Sequence, residues 1–427
     1  MKTAEMPHNS TCSLDVSGLQ QTANASRFKG SRVKRLLAWF TVAAATFVLS
    51  ACGGGGDPAP APTGVAVTPG DGNVKISWNA EPGVEYWIFF APGTDITTDN
   101  WTKLPGARVI RGAASPQTIG GLLNGTTYAF TINGRTGGGP GGPGTPAVTA
   151  TPRPAGAIWT VGAPLGGDDL RGVVYGLKFV AVGTQGVEFS SADGLTWTPS
   201  TTGTTSALNR VIFSPAGYVA VGDAGAILTS TDLTTWTARS SGTGSALYGV
   251  ASNAAGTYVA VGAGGTILRS TDAATTWAPV TSGTTNALYA VSFAAGKFIA
   301  VGAAGTLLTS ADGTSWTAVA SQTTQDLRAL ASGASTIVAV GAAGTVITSP
   351  DAATWTVQPA VGAADLASVA FGSQFVAVGS GGAIFTSADG VAWTARSSGT
   401  TNDLNAVAAG NFGYVAVGAA GTNLTSY

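Results

Sequence analysis

The sequence is poor in the residues on which most enzyme chemistry rests. Its 427 residues include one histidine, two cysteines and two methionines, and only 10% are charged. The histidine is His8, in an N-terminal stretch that reads as a removable leader. The chain beyond it therefore has no imidazole to serve as a general base or to ligate a metal. Cys12 falls in the same stretch, which leaves Cys52 alone and makes an intramolecular disulfide impossible. A basic footprint is missing as well. Six basic and two acidic side chains lie within residues 1–51, and the 14 basic and 19 acidic groups that follow give a net charge near −5. Nucleic acid drops out as a partner, and no cofactor or metal is expected. Amphipathic helical patterns are scarce. What is abundant is glycine, at 62 residues, with 11 tryptophans and many Thr, Ser and Val. That composition describes short strands joined by tight turns, an all-β chain.

The strongest apolar helical candidate, residues 36–51, follows Lys29, Arg32, Lys34 and Arg35. The order of basic, apolar and small residues is that of a secretory signal, and the apolar part is short for a spanning helix. It ends in Leu49-Ser50-Ala51-Cys52, which resembles the lipobox of bacterial lipoproteins; an ordinary signal peptide ending near a cysteine is the plainer alternative. The resemblance implies removal of residues 1–51, a lipid anchor at Cys52, export, and with Gly53 next to the cysteine an outer-membrane destination. Residues 52–62, rich in Gly and Pro, read as a tether.

From 63 to 152 the residues alternate with period two between Gly and Pro turns, as in Val74-Lys75-Ile76-Ser77-Trp78, so the strands have one buried face. Trp78 is expected in the core. The run Leu122-Leu123-Asn124-Gly125-Thr126-Thr127-Tyr128-Ala129-Phe130 resembles the turn into the sixth strand of fibronectin type III domains, where a tyrosine at the place of Tyr128 ties the corner to backbone. The resemblance implies a two-sheet sandwich acting as a spacer or a binding module.

Residues 156–427 repeat. Trp197, Trp236, Trp277, Trp316, Trp355 and Trp393 recur at about the length of one four-stranded propeller blade. An apolar run ending in Val-Gly recurs seven times, at Gly183, Gly222, Gly262, Gly302, Gly341, Gly379 and Gly418. Seven blades are expected, each opening on Leu-x-x-Val or Leu-x-x-Leu, with a second strand apolar on both faces. The last unit lacks a fourth strand, and Ile158-Trp159-Thr160 is the spare strand expected to complete it and close the ring. The turns resemble the Asp-box of sialidase-like and photosystem II assembly factor-like propellers, as in Ser191-Ala192-Asp193-Gly194-Leu195-Thr196-Trp197. The aspartates Asp193, Asp232, Asp272, Asp312, Asp351 and Asp389 are assigned to turn geometry. Calcium would need converging oxygens, which one aspartate per blade does not supply.

Function is sought where the repeats differ. The residue after the opening leucine is Arg171, Asn209, Tyr248, Tyr289, Arg328, Ala367 or Asn405, and the one before it is Asp169, Asp326, Asp365 or Asp403 in four units and Ala in three. These positions would flank the channel mouth, with an aromatic side and a carboxylate side suited to a protein or carbohydrate ligand; ordinary solvated turn residues are the alternative. The expected role is non-catalytic binding at the cell envelope. A glycosidase of the sialidase or glucan-cleaving type is the competing class, weakened because Glu188 is the propeller's only glutamate and belongs to a third strand. Glu188 and Asn423 occupy a position that is apolar in the other five units, and a hydrogen bond between them across the closing seam is one expectation.

Overall fold

The computed structural model describes residues 57–411 and 413–427; the expected leader and lipobox, with Cys52, lie outside the described residues. Among the described residues there are strands and short 3-10 turns, and no helix long and apolar enough to cross a membrane.

Residues 57–150 form two sheets. Thr63–Gly70, Asn73–Asn79 and Gln117–Gly120 make a three-stranded sheet; the second contains Glu85–Pro92, Arg108–Ala113, Tyr128–Arg135 and Val148–Ala150. Period-two strands place Trp78, Tyr86, Ile88, Phe90, Phe130 and Ile132 between them, with Trp78 and Tyr86 edge to face at 5.5 Å. The Tyr128 hydroxyl accepts the Leu123 N–H at 3.2 Å, the corner bond its sequence context suggests. One boundary differs from expectation. The tether expected over 52–62 stops short of Pro58–Ala59, which is a strand paired with Arg135 and Gly134, and Ala59 is buried. The backbone of this strand satisfies the otherwise open edge of Tyr128–Arg135, so residues 58–59 belong to the two-sheet unit.

The rest of the chain forms four-stranded antiparallel sheets, seven among the described residues. The first runs Leu170–Tyr175, Phe179–Gly183, Val187–Ser191, Thr198–Thr201, and the others repeat this order. Each inner strand packs on the next, from Leu170–Tyr175 through to Leu404–Gly410, which packs back on the first. The result is a closed propeller. The second strands, such as Tyr258–Gly262, are buried throughout apart from the opening residues Lys297 and Gly413 of two of them, as an apolar run without alternation requires.

The recurrent glycines have steric causes. A Cβ at Gly302 would lie 2.0 Å from the carbonyl oxygen of Ala287, so the Val-Gly marker records where the second strand passes the start of the first. Gly305 has φ +69° and a Cβ there would meet the Thr323 carbonyl at 1.9 Å, which excludes any side chain on both grounds.

The seventh sheet is completed by Thr160–Val161, paired with Thr425 and Leu424. The junction also rebuilds a turn from both chain ends. In the first sheet Ser191 Oγ accepts the Gly194 N–H at 2.8 Å and Trp197 Nε1 donates to the Gly194 carbonyl at 3.0 Å. At the seam Ser426 Oγ accepts the Gly156 N–H at 2.8 Å and Trp159 Nε1 donates to the Gly156 carbonyl at 2.9 Å. The serine comes from one end of the chain and the glycine and tryptophan from the other.

Candidate functional site at the inner ring

Every inner strand carries the same irregularity. Pairing with the second strand skips one residue between Leu170 and Gly172, Leu208 and Arg210, Leu247 and Gly249, Leu288 and Ala290, Leu327 and Ala329, Leu366 and Ser368, and Leu404 and Ala406. The skipped residues are Arg171, Asn209, Tyr248, Tyr289, Arg328, Ala367 and Asn405. All seven leucines are fully buried. A bulge leaves its extra residue off the ladder and re-aims its side chain. Buried leucine therefore fixes the fold while the bulged neighbour, partly exposed in all seven repeats, is free to vary.

Several of these side chains meet across blade boundaries. Arg171 donates to Asn209 Oδ1 at 2.8 Å and pairs with Asp223 at 3.5 Å. Asn209 Nδ2 donates to Asp223 at 2.8 Å and to the Leu247 carbonyl at 3.0 Å. Tyr248 and Tyr289 stand with ring centres 5.9 Å apart at 47°. Arg328 pairs with Asp365 at 3.0 Å, and Asn405 Nδ2 reaches the Leu170 carbonyl at 2.9 Å across the closing seam. Burial and the Asp326 carboxylate raise the Tyr289 hydroxyl above its ordinary pKa, with Arg328 opposing. Asp223 was missed by sequence reasoning; comparing the residue after each Val-Gly, where the other repeats have Thr, Ala or Ser, would have found it.

The four acidic positions have a job that the sequence did not suggest. Asp169 accepts the N–H of Ala420, Asp326 that of Ala304, Asp365 that of Ala343 and Asp403 that of Gly381, at 2.8–2.9 Å. Each clasps the 3-10 turn of the preceding blade. The Ala343 N–H, the largest influence, holds Asp365 below the usual carboxylate range, with burial opposing it and Arg328 adding to it. The expected carboxylate side of the mouth is thus engaged first in joining blades.

The aspartates that follow the third strands sit in turns on backbone N–H groups. Asp232 accepts those of Thr234 and Thr235, both at 2.9 Å, and these bonds hold its pKa near 2. Asp272 accepts the Thr276 side chain and N–H, its turn being one residue longer. Among the described residues no group of three or more His, Cys, Asp or Glu could hold a metal.

Glu188 and Asn423 do not meet. Asn423 Nδ2 donates to the Ala163 carbonyl at 2.5 Å, on the closing segment. Glu188 is 1% exposed, with both oxygens lacking a hydrogen-bond partner of good geometry. Its polar neighbours are Ser200 and Trp236, toward the second blade, because strand alternation turns Val187 and Phe189 to the seam and Glu188 the other way. Arg210, one residue beyond the bulge, pairs in the ladder with Val221, and burial pulls its pKa down. A cavity of about 970 Å³ is away from these groups, at the outer edge of the fourth sheet by Trp316 and Ser321.

A family model described as DUF6242 beta propeller domain matches residues 270–366. Among curated proteins no relative matches the chain. Solved structures similar to it include YCF48 from Cyanidioschyzon merolae, 20% identical with a TM-score of 0.52 over 64% of this chain and 99% of that one. YCF48 bound to D1 peptide is 16% identical, with a TM-score of 0.53 over 64% and 99%. The WD40 beta propeller domain of Doa1 is 14% identical, with a TM-score of 0.53 over 64% and 97%. At such identities the shared property is the fold, a β-propeller.

Proposed function

We propose that this chain is a non-catalytic, exported lipoprotein, tethered through Cys52, in which a fibronectin type III-like unit spaces a seven-bladed Asp-box propeller from the outer membrane. The propeller holds a segment of a partner protein at its inner ring. One observation carries the reading: seven bulges at one register present side chains that differ from repeat to repeat, while the leucines beside them are constant. Tyr248 and Tyr289 supply adjacent aromatic surface, and Arg171 and Arg328 supply donors already oriented by Asp223 and Asp365. A tyrosine pair beside oriented guanidinium groups suits a peptide with mixed apolar and polar side chains. The D1 peptide held by YCF48, a propeller of similar fold, favours a protein ligand over a glycan at this site. Burial of Glu188 argues against the glycosidase alternative, since the group would have no access to substrate.

The test is site-specific photocrosslinking in membranes. A benzophenone amino acid at Tyr248 should trap one discrete partner, and the same group at Val391, in an Asp-box turn, should not. Equal labelling from both positions would reject the inner ring as the docking site.

A further inference from the structure

The outer rim of the propeller differs from blade to blade in how its sheet edges are protected. In each sheet the fourth strand is outermost, so one row of its N–H and C=O groups meets no further strand. The ladder fixes which row. In the fourth sheet the Val319 N–H donates to the Leu307 carbonyl and Ala318 stands opposite Leu308, so Thr317 and Val319 bond inward while Trp316, Ala318 and Ala320 turn their backbone groups outward. The same phase puts proline, which has no N–H, at outward positions in three other sheets. Counted from each tryptophan, Pro199 and Pro279 stand where Ala318 does and Pro359 where Ala320 does. The second and sixth sheets carry Arg239 and Arg396 in the place of Val319, with Nε on the third-strand hydroxyls of Thr229 at 3.0 Å and Thr386 at 2.9 Å. At the seam Thr160–Val161 runs on into Pro164, and Asn423 takes the Ala163 carbonyl. Only the fourth sheet has neither a proline nor a charge along this stretch, from Trp316 to Ser321.

The unprotected edge also borders open space. The cavity of about 970 Å³ is lined along the strand by Trp316, Ala318, Val319 and Ala320. Ala318 and Ala320 are exposed, and their N–H groups have no backbone partner among the described residues. A second cavity, of about 650 Å³, shares Ser282, Gly283 and Thr284 with the first and continues toward Gly264 and Gly265 of the third sheet. No charged side chain lines either cavity.

We propose that the outer edge of the fourth sheet is a second docking site, separate from the inner ring, that takes an extended, uncharged segment of a partner protein as a fifth strand. Recognition runs through the backbone. The partner's N–H and C=O groups continue the ladder from Trp316, Ala318 and Ala320, and its side chains turn alternately toward the two faces of the sheet. A charged side chain turned into the cavity would meet no counterion, which selects a neutral sequence. A second copy of this chain is the poorer occupant. The outward row from Trp316 to Ala320 spans about 14 Å, and two such edges paired with each other bury far less than the roughly 1,000 Å² that a stable dimer needs. A single extended chain can instead follow the groove into the neighbouring cavity.

The test is titration calorimetry on the full chain with the neutral peptide STVTAT, its ends blocked, and three analogues: one with every amide N-methylated, one with lysine and one with glutamate at alternate positions. The neutral peptide should bind saturably below about 1 mM, the methylated one should not bind, and the two charged ones should bind about tenfold or more weakly. Ala318→Pro reproduces the strands that hold Pro199 and Pro279, so it should fold normally and weaken binding about tenfold or more. Ala238→Pro in the second sheet should leave binding unchanged, as should Tyr248→Ala with Tyr289→Ala, so failure of the inner-ring reading would not touch this one. No saturation by the neutral peptide at about 1 mM, binding undiminished in Ala318→Pro, or preference for a charged analogue would overturn the proposal. So would a wild-type dimer in sedimentation that Ala318→Pro dissolves, since the occupant would then be a second copy. Thermal unfolding identifies a misfolded Ala318→Pro, and Ala320→Pro, which reproduces the place of Pro359, then decides.

Discussion

Glu188 places a carboxyl where the other blades put Ile227, Ile267, Leu307, Val346 or Ile384, or Asn423 at the seam. Burial pushes its pKa from 4.5 to about 7, with Ser200, Trp236 and Lys178 offsetting part of the effect. A carboxyl whose folded pKa exceeds its unfolded value binds its proton more tightly when folded. Its effect on stability is therefore small below the unfolded value and grows more unfavourable as pH rises toward 7. At about 1.4 kcal/mol per pKa unit, the penalty approaches about 3 kcal/mol at pH 8 and is about 1 kcal/mol at pH 5. Glu188→Gln keeps the shape and removes the titration. Urea unfolding of wild type and variant at pH 5 and pH 8 should show the gap between them widening by about 2 kcal/mol in favour of the variant. Comparing the two chains cancels every other group that titrates in this window. A gap of the same size at both pH values, or one that narrows at pH 8, would refute the assignment of a buried, poorly partnered carboxyl. Glu188→Ile should add stability at both pH values, since it restores the side chain of its equivalents and buries apolar surface worth about 1–2 kcal/mol.

Further consequences can be checked separately. Deleting residues 156–164 removes the closing strand together with Gly156 and Trp159, so the whole propeller should lose stability in one transition; an unchanged melting curve for that domain would contradict closure. Cys52→Ala should release the protein from membranes into the soluble envelope fraction, and retention in the membrane pellet would count against lipid anchoring. Replacing Tyr248 and Tyr289 together with Ala should abolish capture of the photocrosslinked partner while shifting the thermal midpoint little, because both side chains are only partly buried. Asp403→Ala removes the clasp on the Gly381 N–H and should lower stability by about 1 kcal/mol; the equivalent change at Asp232 should act through its own turn alone and add independently to it.

How much of this was legible in the sequence follows from what kind of interaction fixed each feature. Strand order, the seven Val-Gly markers and the role of Trp159 could be read because each repeats a local steric demand, such as the close pass of Gly302 over the Ala287 carbonyl. The positions of the variable ring were legible for the same reason, since they stand beside a leucine that never varies. Their orientation was not: a bulge leaves no residue signature, and only the skipped pairing reveals that Arg171 and Tyr248 leave the ladder. The clasps were hidden more deeply. Asp326 and the Ala304 N–H it binds are 22 residues apart and belong to different blades, so nothing in either repeat read alone announces the bond. The clasps also divide the ring. Seams entered through Asp169, Asp326, Asp365 and Asp403 are tied, while those entered through Ala207, Ala246 and Ala287 have no carboxylate there. Tyr248 and Tyr289 lie on two of these seams and Asn209 on the third, where other groups join the blades: Arg171 reaches Asn209 and Asp223, Asn209 reaches the Leu247 carbonyl, and Arg269 reaches the Asp312 carbonyl. A partner that enters the ring would therefore meet its aromatic anchors at seams that no inner-strand carboxylate clasps, and the clasped side of the ring would keep the scaffold fixed as it docks.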